Sequence, residues 1–316
     1  MPHGRDHGQP ATSSEALSGR PQVPNFAAAG VVLAGGRSSR MGTSKAALEW
    51  HGSTLLRRTV ALLTRTIEGP IVVVRAPGQE LPALPDGVEV VEDPCEGRGP
   101  LQGIASGLAA VGGRASRAFI CPTDMPFLHP AFVHAVLSQL RPGLDVALPI
   151  AHGYSQPLAA AYRPSVALRA AQLSELGLSC PTALLEEVRV VRLDEASLLC
   201  DTALAAADPD LNSLINVNKP AEYRDALSRP CPEVKVYLPG GGLDKSTRAV
   251  RAATLRAAAT AAEVVITPKV VIALNGVEQT TLDLDLPLVA GDTLAFCKKW
   301  GGQRLECSRT YEGLGW

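Results

Sequence analysis

Aromatic side chains make up only 4% of the 316 residues, and no basic stretch alternates with them. That argues against a single-strand nucleic-acid binder, which needs stacking platforms set in a positive groove. Charge of one sign is also missing. Lys and Arg number 30 against 31 Asp and Glu, a formal net charge of -1, so no global field favours nucleic acid or an anionic membrane surface. No apolar run approaches the roughly 20 residues that a bilayer-spanning helix needs, and the first residues lack the apolar core of a secretory signal. The sequence therefore predicts a cytoplasmic protein. Paired cysteines are absent too: Cys95, Cys121, Cys180, Cys200, Cys231, Cys297 and Cys307 show no CxxC spacing and no histidine at ligand distance in sequence. Reduced thiols are expected rather than a zinc site or a disulfide framework.

What is present suits two domains, since a chain of this length exceeds one small core. Residues 1–26 are rich in Gly, Pro, Ser and charge without apolar periodicity, and read as a disordered arm in which His3 and His7 are solvated. From Ala27 short apolar runs (GVVLAG, PIVVVRA, VEVVED, AFICPTD, DVALPI) alternate with amphipathic ones (LLRRTVALLTRTI, LQGIASGLAAV, PAFVHAVLSQL). Continuous apolar strands suit a sheet covered on both faces, so the class is α/β, doubly wound, over residues 27–229. SQPLAAAYRPSVALRAAQLSEL adds a strand and a helix, VRVVRL a short strand, and SLINVNKPAEYRDAL a turn into a closing helix. Two prolines in Ser228–Glu233 mark a boundary. Beyond it VKVYL reads as a strand, STRAVRAATLRAAATAA as a helix, and VVIALNGVEQ as a hairpin turning at Asn275 and Gly276. Residues 233–302 are thus expected to form a small α+β domain, with 303–316 as a tail.

Four stretches carry candidate chemistry. In VVLAGGRSSRMGTSK a strand runs into Gly35 and Gly36, where backbone N–H groups can approach an anion, with Arg37, Arg40 and Lys45 nearby. It is neither a P-loop nor a GxGxxG turn, and on the glycines alone a tight turn with solvated basic residues is the simpler account. VEVVEDPCEGRGPLQGIASGL ends a strand in Glu92 and Asp93 and enters a helix through Gly99, Pro100 and Leu101. AFICPTDMPFL delivers Asp124 at the carboxyl end of a strand, where a hard cation could bind, although a lone Asp there is more often a cap. LINVNKPAEY places Asn216 and Asn218 two apart, on one face of an extended stretch.

Taken together these strings resemble the molybdenum cofactor guanylyltransferase family of nucleotidyltransferases. LAGGRSSRMGTSK matches that family's LAGGxSxRMGxxK, EDP with GPLQGIASGL resembles its second motif, CPTDMPF its CPCDTPF-like motif, and NVNKPAEY its NVNTPEEL segment. Three departures are visible: Ser44 stands where the family has Asp, Gln102 where it has Ala, and Gln156 where it has a histidine, His152 being read as a surface residue. The resemblance implies a Rossmann-like fold with a mostly parallel sheet. It implies that Leu33, Ala34, Gly35, Gly36, Lys45, Asp93 and Asp124 bind nucleotide, that Asp124 ligates Mg2+, and that Arg40, Lys45 and Asp124 are catalytic, with Asn216 and Asn218 in the active site. Cys121 becomes a buried core thiol. The substrates implied are GTP and molybdopterin, Gly36 favouring GTP because CTP-using relatives have LAAG, and other proteins of molybdenum cofactor synthesis are implied as partners. A CTP-dependent cytidylyltransferase and an idle nucleotide-binding scaffold are the alternatives. The C-terminal domain, with PLVAGDTLAF before Gly301 and Gly302, resembles the β-grasp sulfur carriers of molybdopterin and thiamine synthesis. In those the Gly-Gly ends the chain; here QRLECSRTYEGLGW follows, so a processed carrier and a β-grasp fold with a plain Gly-Gly turn stand side by side.

Overall fold

Ala-Gly-Val-Val-Leu at Ala29–Leu33 (β1) is apolar at every position, which a strand tolerates only when both faces are covered, and all five residues are buried. In the computed structural model, which describes residues 26–35, 44–238 and 247–298, this strand lies near the middle of the main sheet. A two-residue hairpin follows, Glu49–Trp50 (β2) with Ser53–Thr54 (β3), and then helix Leu55–Thr66 (α1), strands Ile71–Arg75 (β4) and Glu89–Glu92 (β5), and helix Pro100–Val111 (α2). The chain continues through Ala118–Pro122 (β6), Pro130–Gln139 (α3), Val146–Ala151 (β7), Tyr154–Ser155 (β8) and Ala160–Tyr162 (β9). Ala167–Glu175 (α4), Thr182–Leu185 (α5), Val190–Leu193 (β10), Glu195–Leu199 (α6), Thr202–Ala207 (α7) and Pro220–Ser228 (α8) complete this part.

The main sheet runs β10-β7-β9-β6-β1-β4-β5, with β8 hairpinned onto β7. Strands β1, β4, β5 and β6 pair in parallel, as β7 does with β10, whereas β9 is antiparallel to both β6 and β7. The mostly parallel α/β sheet expected from the sequence is what forms. One face packs against α1 and α3 through Leu56, Leu63, Phe119 and Phe132, the other against α2 and α4 through Ile104, Leu108, Ile120 and Leu173. The chain leaves β1 for β4 on one side, and β6 lies on the other, so the order reverses at β1. Crevices at such reversals, beyond the carboxyl ends of the strands, are where open α/β sheets bind ligands.

Residues Glu233–Tyr237 (β11), Thr247–Arg251 (β12), Leu255–Ala261 (α9), Val270–Leu274 (β13), Val277–Glu278 (β14) and Thr293–Lys298 (β15) build a separate sheet in the order β12-β11-β15-β13-β14. The pair β11 and β15 is parallel at its centre, and Val234, Val236, Leu255, Ala258, Ile272 and Phe296 form its own core. The hairpin is where the sequence puts it, Asn275 and Gly276 both taking positive φ between Leu274 and Val277. The helix is shorter than expected. Thr247–Arg251 pairs with β11 and buries only Val250; Thr254 then caps the helix by accepting from Ala257 N. A second expectation also changes: Cys297 is disulfide-bonded, while Cys95, Cys121, Cys180, Cys200 and Cys231 are free.

Helix α1 joins the two parts. It is buried on nearly every side, including Arg58 and Thr59, because the main sheet covers one face and the C-terminal unit the other. Arg65 grips Asp292 with both terminal nitrogens at 2.9 and 3.0 Å and also donates to Pro287 O, and Arg57 pairs with Asp283 at 2.9 Å. Among the described residues no helix is long and apolar enough to cross a membrane.

Candidate functional site

Register brings the candidate residues together. Leu33 of β1 lies opposite Pro122 of β6 and Val74 of β4, and Val74 lies opposite Val91 of β5. Residues two places further on, Gly35, Asp124, Ala76 and Asp93, therefore emerge at one level beyond the sheet. Ala34 and Gly35 both donate from their backbone N–H to Val74 O, at 2.8 and 3.1 Å. A Cβ on Gly35 would come within 3.3 Å of Ala76 N and 3.7 Å of an Asp93 carboxylate oxygen, so the small residue keeps the entry to the loop narrow. Gln79, which no motif or periodicity singles out, pins the turn: it donates to Ala34 O and accepts from Ala76 N, both at 3.0 Å. Gly36 and Arg40 lie outside the described residues, as do Gly301 and Gly302.

Lys45 opens a short helical turn, Lys45–Ala47, and its ammonium reaches both Asp124 Oδ2 and Asn218 Oδ1 at 2.6 Å. Asp124 is buried, at 7% exposure, although it carries a carboxylate. Its backbone carbonyl accepts from Val217 N at 2.9 Å, and that single bond carries Asn218 from a segment ninety-odd residues away into the cluster. Asn216 goes elsewhere. Its Oδ1 is buried with no hydrogen-bond partner among the described residues and lines a shallow cleft of about 320 Å³ with Phe127, Ile215, Glu222 and Asp225.

Asp93 follows β5 and accepts from the Ser106 hydroxyl of α2 at 2.7 Å. Burial pushes its carboxyl pKa up, and the Ser106 hydrogen bond pulls against that. The nearby Gln102 stands behind Ser106: its Nε2 donates to Ser106 Oγ at 3.5 Å, and its Oε1 accepts from Ser174 of α4 at 3.1 Å, which ties two helices together. Cys121 is fully buried and desolvation pushes its thiol pKa up, consistent with a core thiol. His152 and Gln156 hold the β7–β8 region, His152 N donating to Glu195 at 2.7 Å and Gln156 N to Pro149 O at 2.9 Å.

The cluster offers one carboxylate, one amide oxygen and one ammonium where β1 and β6 end. Among the described residues no group of three or more His, Cys, Asp and Glu could hold a metal by itself. Mg2+ does not demand one, since it keeps several waters and takes one or two carboxylates plus substrate phosphates. Asp124 Oδ2 and Asn218 Oδ1 are hard oxygen donors already converging on one cation, the Lys45 ammonium, and so fit such an ion. A larger cleft, about 590 Å³, lies between α1, α3 and the β13–β14 hairpin; its lining, which includes Arg65, His134 and Gln279, does not include these residues.

Comparison with known proteins places the chain in a family. Residues 30–190 match the family model described as MobA-like NTP transferase domain. A probable molybdenum cofactor guanylyltransferase of Mycobacterium avium is 34% identical over 200 residues, covering 62% of this chain and 93% of that protein. One from Bacillus cereus is 32% identical, over 63% of this chain and 94% of that protein. The crystal structure of molybdopterin-guanine dinucleotide biosynthesis protein A from Archaeoglobus fulgidus shares the fold, with a TM-score of 0.50 and 24% identity, over 63% of this chain and 96% of that one. The chain belongs to the MobA-like NTP transferase family and is a nucleotidyltransferase.

Proposed function

We propose that the chain transfers GMP from GTP to molybdopterin, releasing pyrophosphate and forming the guanine dinucleotide of the cofactor. The observation that carries this reading is the Lys45–Asp124–Asn218 cluster at the sheet's reversal, in a chain that covers nearly the whole length of relatives described as probable guanylyltransferases. An acceptor phosphate, already anionic near neutral pH, attacks the α-phosphorus, and pyrophosphate leaves in line. No general base is needed, so the protein's work is positioning and charge stabilisation. Leu33, Ala34, Gly35 and Gly36 wrap the triphosphate, Asp93 helps bind the nucleotide, and Lys45 with Arg40 offsets the charge growing on the leaving group. Asp124, with Asn218 beside it, would hold Mg2+, which would supply Lewis-acid polarisation of the α-phosphate.

Transfer assayed with purified full-length chain, molybdopterin, Mg2+ and either GTP or CTP tests the reading. GTP supports pyrophosphate release and Asp124→Asn lowers kcat by about 10² to 10³; release from CTP alone would overturn the choice of base. In the C-terminal unit, the order β12-β11-β15-β13-β14 with its parallel central pair supports the β-grasp reading. A peptide-bonded Gly302 has no carboxylate to activate, so a sulfur-carrier role requires cleavage after it. Intact-mass measurement of protein from its own cell decides: a species ending at Gly302 supports the carrier. The arginine contacts from α1 hold the unit on the transferase and so favour the other reading, a β-grasp fold with a plain Gly-Gly turn.

A further inference from the structure

Three arginines of α1 face the C-terminal unit, and two of them end on carboxylates. The third, Arg58, ends on carbonyls. It is 3% exposed, and its Nε donates to Pro126 O at 2.9 Å, Nη1 to Ala253 O at 3.3 Å and Nη2 to Leu288 O at 3.1 Å. Its guanidinium carbon lies 4.3 Å from the centroid of the Trp50 ring, and Trp50 in turn donates to Ala226 O. Removing a cation from water costs several kcal/mol, and here carbonyl dipoles and a ring face in contact, with the Asp292 carboxylate further off, offset that cost. Burial, and then the neighbouring Arg65, lower its pKa to about 9.

The three acceptors belong to two parts of the protein. Pro126 lies in the loop that carries Asp124, two residues further on. Proline has no N–H, so its carbonyl is the backbone group through which the loop can be anchored at that point. The next bond, Leu128 N to Met125 O at 3.2 Å, is internal to the loop. Ala253 and Leu288 belong to the C-terminal unit and bond each other, Leu288 N to Ala253 O at 2.9 Å. A planar fork spans these segments in one geometry, which a point charge on a flexible stem cannot do.

We propose that Arg58 is a positioning residue for Asp124, and that the C-terminal unit completes the transferase site by supplying two of the three carbonyls that fix its guanidinium. The proposal rests on the reading of Asp124 as the metal-binding carboxylate. A carboxylate serving a metal needs placement within about half an ångström, and the groups behind it set that placement. The family model matches residues 30–190, so this arrangement ties the transferase site to a part of the chain outside that match.

The test uses the full chain with three substitutions: Arg58→Lys, Asp292→Asn and Asp124→Asn. Asp292→Asn weakens the Arg65 clamp and removes a carboxylate whose field favours the charged form of Arg58, while leaving the Arg58 side chain and the loop residues themselves unchanged. The readouts are Mn2+ binding followed by electron paramagnetic resonance, hydrogen exchange across residues 123–128, and the thermal midpoint. Arg58→Lys is expected to weaken Mn2+ binding about tenfold and to speed exchange across 123–128, and Asp292→Asn to shift both in the same direction by less. If both variants lower only the thermal midpoint, Arg58 is a structural arginine and the proposal is overturned. Should Arg58→Lys fail to fold, Asp292→Asn decides by the same two readouts. If Asp124→Asn binds Mn2+ like the parent, the reading of Asp124 fails by itself, and exchange across 123–128 still reports whether the two parts are coupled.

Discussion

Replacing Gly107 by Ala should destabilise the protein, although by helix propensity alone it should do the opposite. Gly107 sits inside α2 with its α-carbon pressed on β1; a Cβ there would lie 2.3 Å from Val31 Cγ1 and 3.1 Å from Val74 Cγ2. Ordinary carbon contacts are about 3.5 to 4.0 Å, so the shortfall against Val31 exceeds an ångström. Val31 and Val74 are β-branched, stiff at χ1 and 0% and 1% exposed, so neither side chain has a rotamer to escape into. Overpacking of this kind costs about 1 to 3 kcal/mol, and the shortfall points to the upper end. Replacing Gly by Ala in a helix interior returns about 1 kcal/mol. The net expectation is a loss of about 2 kcal/mol, or roughly 4 to 8 °C in the midpoint of the transferase unit. Differential scanning calorimetry reads it directly, and Val31→Ala supplies the second leg of a double-mutant cycle. With the valine methyls gone the Val31 clash disappears and only the helix gain remains, so the two changes should be non-additive by about 3 kcal/mol. A stabilised Gly107→Ala, or simple additivity, would refute the account of the α2–β1 seam.

Two further outcomes concern titrating groups. Asp93 is held above its ordinary pKa by burial, so the folded state holds its proton longer than the unfolded one and stability falls as pH climbs from 3.8 through the raised folded value. Ser106→Ala removes the hydrogen bond that opposes this and should cost about 1 kcal/mol, with its midpoint deficit against the parent growing with pH through that window. A deficit independent of pH would mean that the Ser106 hydroxyl does not bear on Asp93. His129 caps α3 by accepting from Ala131 N at Nδ1, and its Nε2 meets Ala290 O at 3.1 Å, so the neutral form with the proton on Nε2 satisfies both. Burial lowers its pKa, and stability is therefore lost as pH falls below 6.5 towards the folded value. His129→Asn keeps a capping acceptor and removes the titration, so the drop in thermal midpoint across about pH 7 to 5 should shrink. An unchanged slope would place the acid sensitivity on other groups, His134 among them.

Much of the fold could be read from pattern because the signals were local. GVVL, IVVV and AFIC are continuous apolar runs, and a sheet covered on both faces is what makes such runs tolerable. STRAVR was harder: its residues tolerate a helix as well as a strand, and β11, rather than anything within the segment, decides for a strand. At the site, position alone leaves Asp124 a cap and Lys45 a solvated loop cation; the family strings LAGGRSSRMGTSK and CPTDMPF are what single them out. Nothing local separates Asn218 from Asn216. A backbone bond from Val217 to the Asp124 carbonyl turns one into the cluster, and the other is left at a neighbouring cleft. Arg57 and Arg58 are adjacent and alike in sequence, yet one ends 24% exposed on a carboxylate and the other is buried among carbonyls. What distinguishes them lies as far as 230 residues further along the chain.

That separation has a consequence in time. Chains are made at about 5 to 20 residues per second, so Arg58 is synthesised roughly 10 to 50 s before Leu288, the last of its three acceptors. Through that interval the strands and helices of the main sheet can assemble while the outer face of α1, with its cation and the apolar surface around Trp50, stays open to water. Of the whole transferase, the wall behind the Asp124 loop is thus among the last parts to close.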